Sequence, residues 1–311
     1  MVLKDEVKVG GKYKLQVIKA DGSIGQETGW FNNLVTDGGL DALASNRGLL
    51  RYCQVGSGNT TPANGDTALV SRIASAETEH GSGWGYSTTV GAASSSPYYQ
   101  YQRLIYTFGT GIAAGNVSEV GVGWASTGSL YSRALILDIN GDPTTITVLS
   151  DEQLIVTYEF RFYPIETAQT GSVTFTGNKG ATYSWTIRPA LASTVKEHYE
   201  YPNTFRVAAP MNMATGYSST LYASTGSIAI ITSQPSGAGS NIISASPGSY
   251  TAGTYTITLT LSASTSQANI NIASILVLWG PTCVQIGFNP AIAKTSQDTL
   301  SITLTRTWSR Y

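Results

Sequence analysis

Charge is the scarcest commodity in this 311-residue sequence: 12% of residues are Asp, Glu, Lys or Arg, and the formal net charge is −1. With no basic surplus, the phosphates of a nucleic acid or an anionic membrane surface have little to be held by, so neither partner is expected. Cysteine is almost missing. Cys53 and Cys283 are the only two, far apart, with no CxxC or Cys/His companion. That spacing argues against a disulfide scaffold or a structural metal site and for two buried free thiols in a reducing cytosol. Histidine is represented by His80 and His198 alone, neither in a HExxH or nucleophile-elbow setting, and no G-x-S-x-G occurs. No apolar run reaches the roughly 18 residues of a spanning helix. The opening MVLKDEVKVGGKYKL lacks the apolar stretch of a signal peptide.

What the chain has instead is 33 Gly, abundant Ser and Thr, and 10% aromatics, a composition of short strands and tight turns that points to an all-β protein. The length favours two domains. The plan is clearest at 153–163, where Leu154, Val156, Tyr158, Phe160 and Phe162 share one face of a strand. Gln153, Thr157, Glu159 and Arg161 share the other, with Ile155 and Tyr163 as apolar exceptions. The turn Asn140-Gly141-Asp142-Pro143 precedes it. At the start, Tyr13, Leu15 and Val17 alternate with Lys12, Lys14 and Gln16, followed by a hairpin turn at Asp21-Gly22 and a return strand over 24–31. Leu40, Leu43 and Ala44 lie at helical spacing behind Thr36 or Asp37, either of which can cap, giving one short helix. A further strand is expected over 51–55. The loop 56–69 after it carries a Gly-x-Gly but neither the third glycine nor the lysine of a phosphate loop, so it reads as a loop docked on the core by Leu69.

The strand pattern stops at Pro164, and small polar residues follow. The expectation is therefore two β-sandwich-like domains, residues 1–165 and 170–311, with the helix in the first. In the second half, strands are expected at 172–176, 182–187, 227–232, 241–244 and 255–261. Residues 268–279 are too apolar to face water on both sides, so they should form a central strand pair or be covered by a partner subunit. Leu300, Ile302, Leu304 and Trp308 share a face with Arg306, which needs a carboxylate, a carbonyl or a subunit boundary.

Several blocks resemble, in order, those of a family of tailed-phage tail structural proteins of the minor tail, fibre or baseplate type. They are FNNLVTDGGLDAL from Phe31, VGSGNTTPANGDTAL from Val55, EVGVGW from Glu119, LYSRALILD from Leu130 and LSDEQLIVTYEFR from Leu149. Near the C-terminus, Phe288-Asn289-Pro290-Ala291-Ile292-Ala293-Lys294-Thr295 resembles the family's F-x-P-P-I-x-K-T block, with Ala291 in place of the second proline. The resemblance implies a virion component made in the host bacterial cytoplasm and built into the tail tip, baseplate or fibre attachment. It also implies a homotrimer in contact with other tail proteins. It brings no catalytic residues, cofactor or metal.

Two rival functions are a carbohydrate-binding receptor-recognition protein and a polysaccharide or cell-wall hydrolase. For the first, Trp84, Tyr86, Tyr98 and Tyr99 cluster around the connection 81–96, where aromatic faces can stack on a host surface glycan. For the second, Glu77-Thr78-Glu79-His80 and Glu197-His198 with Glu200 offer carboxylates, but adjacent residues do not establish the separation a glycosidase needs, and solvated loop charge explains them. Asp138, Asp142, Asp151 and Glu152 suit Ca²⁺ or plain turn chemistry equally. The sequons at Asn59 and Asn116 matter only on a secreted chain. The contact residues expected for self-association are Leu276, Leu278, Trp279, Arg306 and Trp308. On this reading the protein is not an enzyme.

Overall fold

The computed structural model describes residues 2–45, 48–78, 89–175, 180–191, 220–237, 241–279 and 282–311. Strands β1 (Val2–Ile18), β2 (Ile24–Glu27), β3 (Phe31–Asn32) and β4 (Leu34–Val35) lead into α1 (Asp37–Ser45). Then come β5 (Tyr52–Gly56), β6 (Arg72–Glu77), β7 (Thr89–Ala92), β8 (Gln100–Phe108) and β9 (Gly115–Val117). The first half ends with β10 (Glu119–Gly123), β11 (Leu130–Leu135), β12 (Ile146–Val148) and β13 (Gln153–Pro164). The second half holds β14 (Gln169–Thr174), β15 (Thr182–Leu191), β16 (Thr220–Ser224) and β17 (Asn241–Pro247). It closes with β18 (Thr256–Ala263), β19 (Asn271–Trp279), β20 (Thr282–Ala293) and β21 (Leu300–Arg310). The fold is all-β, with 56% of the described residues in strands and α1 as the one short helix among them.

One 14-stranded sheet runs β14-β15-β20-β19-β16-β17-β18-β21-β1-β13-β8-β7, with β2 and β3 also on β1. A 5-stranded sheet, β4-β11-β10-β5-β6, packs with it, and β12 pairs β9. The key element is β1, 17 residues long and bonded on both edges. Its first part runs parallel to β21, from Val2↔Thr303 to Val9↔Arg310. Its opposite edge runs antiparallel to β13, from Val7↔Pro164 to Ile18↔Gln153. The expected boundary at 165–170 falls in the short connection between β13 and β14, and the sheet does not break there. A single apolar cluster likewise includes Tyr13, Leu15, Phe160 and Phe162 together with Ile257, Trp279, Ile302 and Trp308. The helix capped by Thr36 is gripped by the second half. Trp308 Nε1 donates to the Leu40 carbonyl at 2.8 Å, and Tyr250 donates its hydroxyl to Asp41 at 2.5 Å. The two expected sandwiches are thus joined through shared strands and a shared core.

Alternation along β1 puts Leu3, Val7, Val9, Tyr13, Leu15 and Val17 inside, and Asp5 falls on that same face. Its partner is in register opposite: Arg306 Nε donates to Asp5 Oδ2 at 2.5 Å, and both side chains are buried. Arg306 also donates to the Trp279 carbonyl, and its guanidinium lies 4.5 Å from the centre of the Trp279 ring. The carboxylate and the carbonyl that the sequence demanded are therefore supplied within the chain. The same holds for the apolar run 271–279. β19 is central, between β16 and β20, with Ile275, Val277 and Trp279 in the main core. Leu276 and Leu278 lie in a second cluster with Ala190 and Cys283 on the other face. Leu276, Leu278, Trp279, Arg306 and Trp308 are all buried by their own chain, which corrects their assignment to a subunit contact.

A second correction concerns 227–232, expected as a strand and found irregular. Its backbone groups are taken by side chains rather than by a ladder. Ala229 N donates to Gln285 Oε1 at 2.7 Å and Arg188 donates to the Ala229 carbonyl at 2.9 Å. Gln285 Nε2 lies 3.2 Å from the carbonyls of both Ile230 and Ser233. A buried glutamine offers donors and acceptors enough to replace a neighbouring strand there.

Removing one partner of a buried ion pair strands the other charge. Arg306→Leu is expected to lower stability by about 3–5 kcal/mol, read as a fall in the urea midpoint. The double change Asp5→Leu with Arg306→Met should recover most of that loss. Equal losses in the single and double variants would show that the pair is not what the strands lean on.

Candidate functional site

The resemblance blocks, separate in sequence, close on one another in space. Glu119 opens β10 with its side chain fully buried. Its Oε1 accepts the amides of Gly58 at 3.1 Å and Ser71 at 2.8 Å, and its Oε2 accepts that of Val70 at 3.1 Å. Arg133 on β11 donates Nε to Glu119 at 2.9 Å, Nη1 to Asp66 at 2.7 Å and Nη2 to the Thr60 carbonyl at 2.8 Å. The loop 57–71 is thereby strapped to the smaller sheet. A Cβ on Gly58 would collide with the Glu119 carboxylate, which is why glycine stands there. In the Gly-x-Gly that resembles a phosphate cradle, the Gly58 amide already has its anion in Glu119 and the Ser57 amide donates to the Ser71 carbonyl, while Leu69 is buried as expected. The helix block joins the same assembly. Thr36 is the cap, accepting the Gly39 amide at 2.9 Å and donating to the Leu130 carbonyl at 2.6 Å, while Asp37 N donates to the Asn64 carbonyl at 2.7 Å.

A different surface is open to solvent, on the outer side of β8, β13 and β1. Antiparallel register sets Glu159 opposite Arg103 and Arg161 opposite Tyr101. Glu159 lies on the expected outer face yet is only 2% exposed, because two guanidinium groups cover it. Arg103 approaches its Oε2 at 2.6 Å and Arg161 its Oε1 at 2.5 Å. Each arginine is also stacked: Arg161 lies 4.2 Å from the Tyr99 ring centre, and Arg103 sits between Trp30 at 5.4 Å and Tyr101 at 5.0 Å. Such stacking fixes a guanidinium's position without using its outward N–H groups. Beyond Tyr99, Tyr163 lies face to face with Tyr311, centroids 3.6 Å apart and planes 9° apart. Two hollows, of about 280 and 430 Å³, adjoin here and share Pro97, Tyr163 and Tyr311 as lining. The larger also has Lys12, Asn32, Asn33, Tyr99 and Arg161 in its wall. Under its floor the Tyr158 hydroxyl occupies the space a Cβ on Gly11 would need. That hydroxyl receives Asn33 Nδ2 at 2.9 Å, leaving Asn33 Oδ1 buried with no partner.

Of the aromatics proposed for glycan contact, Tyr98 and Tyr99 line these hollows, whereas Trp84 and Tyr86 lie outside the described residues. Glu79, His80, Glu197, His198 and Glu200 lie outside them too. Glu77 is ion-paired with Arg51 at 2.8 Å. Asp138 serves its own turn. Its Oδ1 accepts the amides of Asn140 at 2.8 Å and Asp142 at 3.0 Å, and the Asp142 amide first, then that of Asn140, hold its carboxyl below the usual range against the cost of burial. The residues missed at the sequence level are Trp30, Tyr101, Arg103, Arg161 as a ring partner, Tyr163 and Tyr311. Period-2 spacing of Tyr99, Tyr101 and Arg103, and of Glu159, Arg161 and Tyr163, was a visible signal for each strand's outer face. Which two strands paired was not.

No protein-family model matches the chain, no curated protein matches it, and no solved structure matches its fold. What the open face can do is set by its chemistry: flat rings, fixed guanidinium groups and a lysine, suited to holding a ligand by stacking and hydrogen bonds. The groups pushed furthest from their ordinary range, Tyr13, Tyr106, Tyr131 and Cys53, are raised chiefly by burial and sit in the core.

The loop strap carries a pH signature. Burial alone would raise Asp66, but the Ala63 amide and Arg133 outweigh it and hold the carboxyl below its ordinary value. Folded Asp66 therefore binds its proton less readily than unfolded Asp, whose pKa is about 3.9. Its contribution is present above that value and is lost as pH falls through the folded one. Asp66→Asn should flatten the acid limb of a melting-temperature profile taken from about pH 5 to pH 2, while the slope above it is unchanged.

Proposed function

We propose that this chain is a structural component of a bacteriophage tail, at the tip, the baseplate or the fibre attachment, and that its tyrosine–arginine face meets a host-surface glycan. The observation that carries the reading is the convergence of the Glu119, Arg133, 57–71 and helix blocks on one buried network. These are the blocks whose order resembles tail proteins, and their mutual contacts give that order a physical reason: each supplies a partner that another requires. The chemistry of the open face supports the second part. Arg161 and Arg103 are held by rings and by Glu159, so little freedom remains to be lost when a ligand docks.

Assembly into a homotrimer with other tail proteins as neighbours belongs to the same proposal and rests on the resemblance. Its contacts must come from outer surface, since 271–279 is enclosed by the chain's own strands. The exposed Ile24, Ile112 and Leu149 are apolar surface of the kind a subunit contact covers.

Antibodies against the purified chain, applied to phage particles for electron microscopy, should label one end of the tail, and the chain should appear among the particle's proteins by mass spectrometry. Particles that contain no such chain would overturn the assignment.

A further inference from the structure

We infer that the larger hollow takes an acidic oligosaccharide, with sugar rings against Tyr99 and Tyr311 and a carboxylate on Lys12. This rests on the reading of that face as glycan-binding and adds what kind of glycan it selects. The charge arrangement is the first ground. Lys12, Arg103 and Arg161 stand around a single carboxylate, Glu159, which both arginines already engage. Lys12 is the cross-strand neighbour of Glu159 on β1, half-buried, and has no ion-pair partner among the described residues. The next lysine on that face, Lys14, is paired with Glu27 at 3.1 Å. Positive side chains therefore outnumber negative ones around the larger hollow and no acidic side chain lines it, with the α-carboxylate of Tyr311 offsetting part of that excess.

The second ground is polarity along the face. The acids are at the other end: Glu6 and Glu166 line the smaller hollow beside a single lysine, Lys8, with Glu166 accepting the Tyr98 amide at 2.7 Å. A ligand spanning both hollows would place its anionic group at the Lys12 end and hydroxyl donors at the Glu6 end. The third ground is size and surface. A volume of about 430 Å³ lies within the range of small-ligand sites. Tyr311 is 64% exposed and offers the outer face of its stacked pair, a flat surface for the C–H face of a pyranose ring. A long polyanion such as duplex DNA fits less well, because the sequence as a whole carries net charge −1 and this excess is local.

The experiment is calorimetric titration of the full chain with glucuronate, galacturonate and mannuronate oligosaccharides. Each is paired with its carboxyl-reduced, neutral counterpart, and a short DNA duplex serves as a further arm. At least one acidic form should bind about tenfold more tightly than its reduced counterpart. Lys12→Gln, with unchanged circular dichroism, should remove that preference and leave neutral binding as it was, while Tyr311→Ala should weaken both. If acidic and reduced forms bind alike, the inference on acidity is overturned and the glycan reading stands. If no sugar binds, or DNA binds as well as the sugars, both the inference and the glycan role fall, while the tail assignment is judged separately by labelling of the particles.

Discussion

Strand β1 is hydrogen-bonded along both edges, and the partners are the last strand of the first half and the last strand of the whole chain. Everything else is arranged by that double commitment. The Asp5–Arg306 pair fixes its register against β21. Two charges on core-facing positions tolerate burial only when each meets the other, so a slip by one residue would turn both to the wrong face. Burial pushes the Asp5 carboxyl up against the pull of Arg306, a measure of how dry the site is. On the other edge, β13 carries Tyr158, Phe160 and Phe162 into the same core that receives Trp308.

The open face is a consequence of this arrangement. β13 lies between β1 and β8, so its outward residues Glu159, Arg161 and Tyr163 acquire Lys12 on one side and Arg103 and Tyr101 on the other. Tyr311 arrives because β21 runs parallel to β1: the Tyr311 amide bonds the Val9 carbonyl at 2.9 Å, which sets its ring on Tyr163. A site made of residues 12, 99, 161, 163 and 311 thus depends on the two chain halves being joined. The strapped loop 57–71 lies in the smaller sheet and serves a different purpose, holding β5, β10 and β11 through one buried carboxylate.

Local patterning made much of this legible. The alternation at 153–162, the cap and helix at 36–45, the loop that ends at Leu69 and the apolar strand at 271–279 all follow from short-range spacing and composition. Arg306 on an apolar face announced that a carboxylate or a carbonyl was needed. What the pattern did not contain was partner identity. The carboxylate, Asp5, lies 301 positions away, and parallel pairing of first and last strands leaves no trace in either strand. For the same reason the division at 165–170 looked like a domain boundary, since a break in periodicity reports the end of a strand and not the end of a sheet. Residues 227–232 misled because Ile-Ala-Ile-Ile suits a strand, and only Gln285 and Arg188 reveal that the backbone bonds go elsewhere.

The central claim is that the pairing of β1 with β21 makes the two halves one cooperative unit, which in turn assembles the open face. Denaturant unfolding followed by fluorine NMR of a 5-fluorotryptophan-labelled chain tests it most directly. Trp124 reports on the first half, and Trp279 and Trp308 report on the second. The account expects all three native resonances to disappear together at one urea concentration. Loss of Trp279 and Trp308 at a concentration where Trp124 keeps its native signal would contradict it.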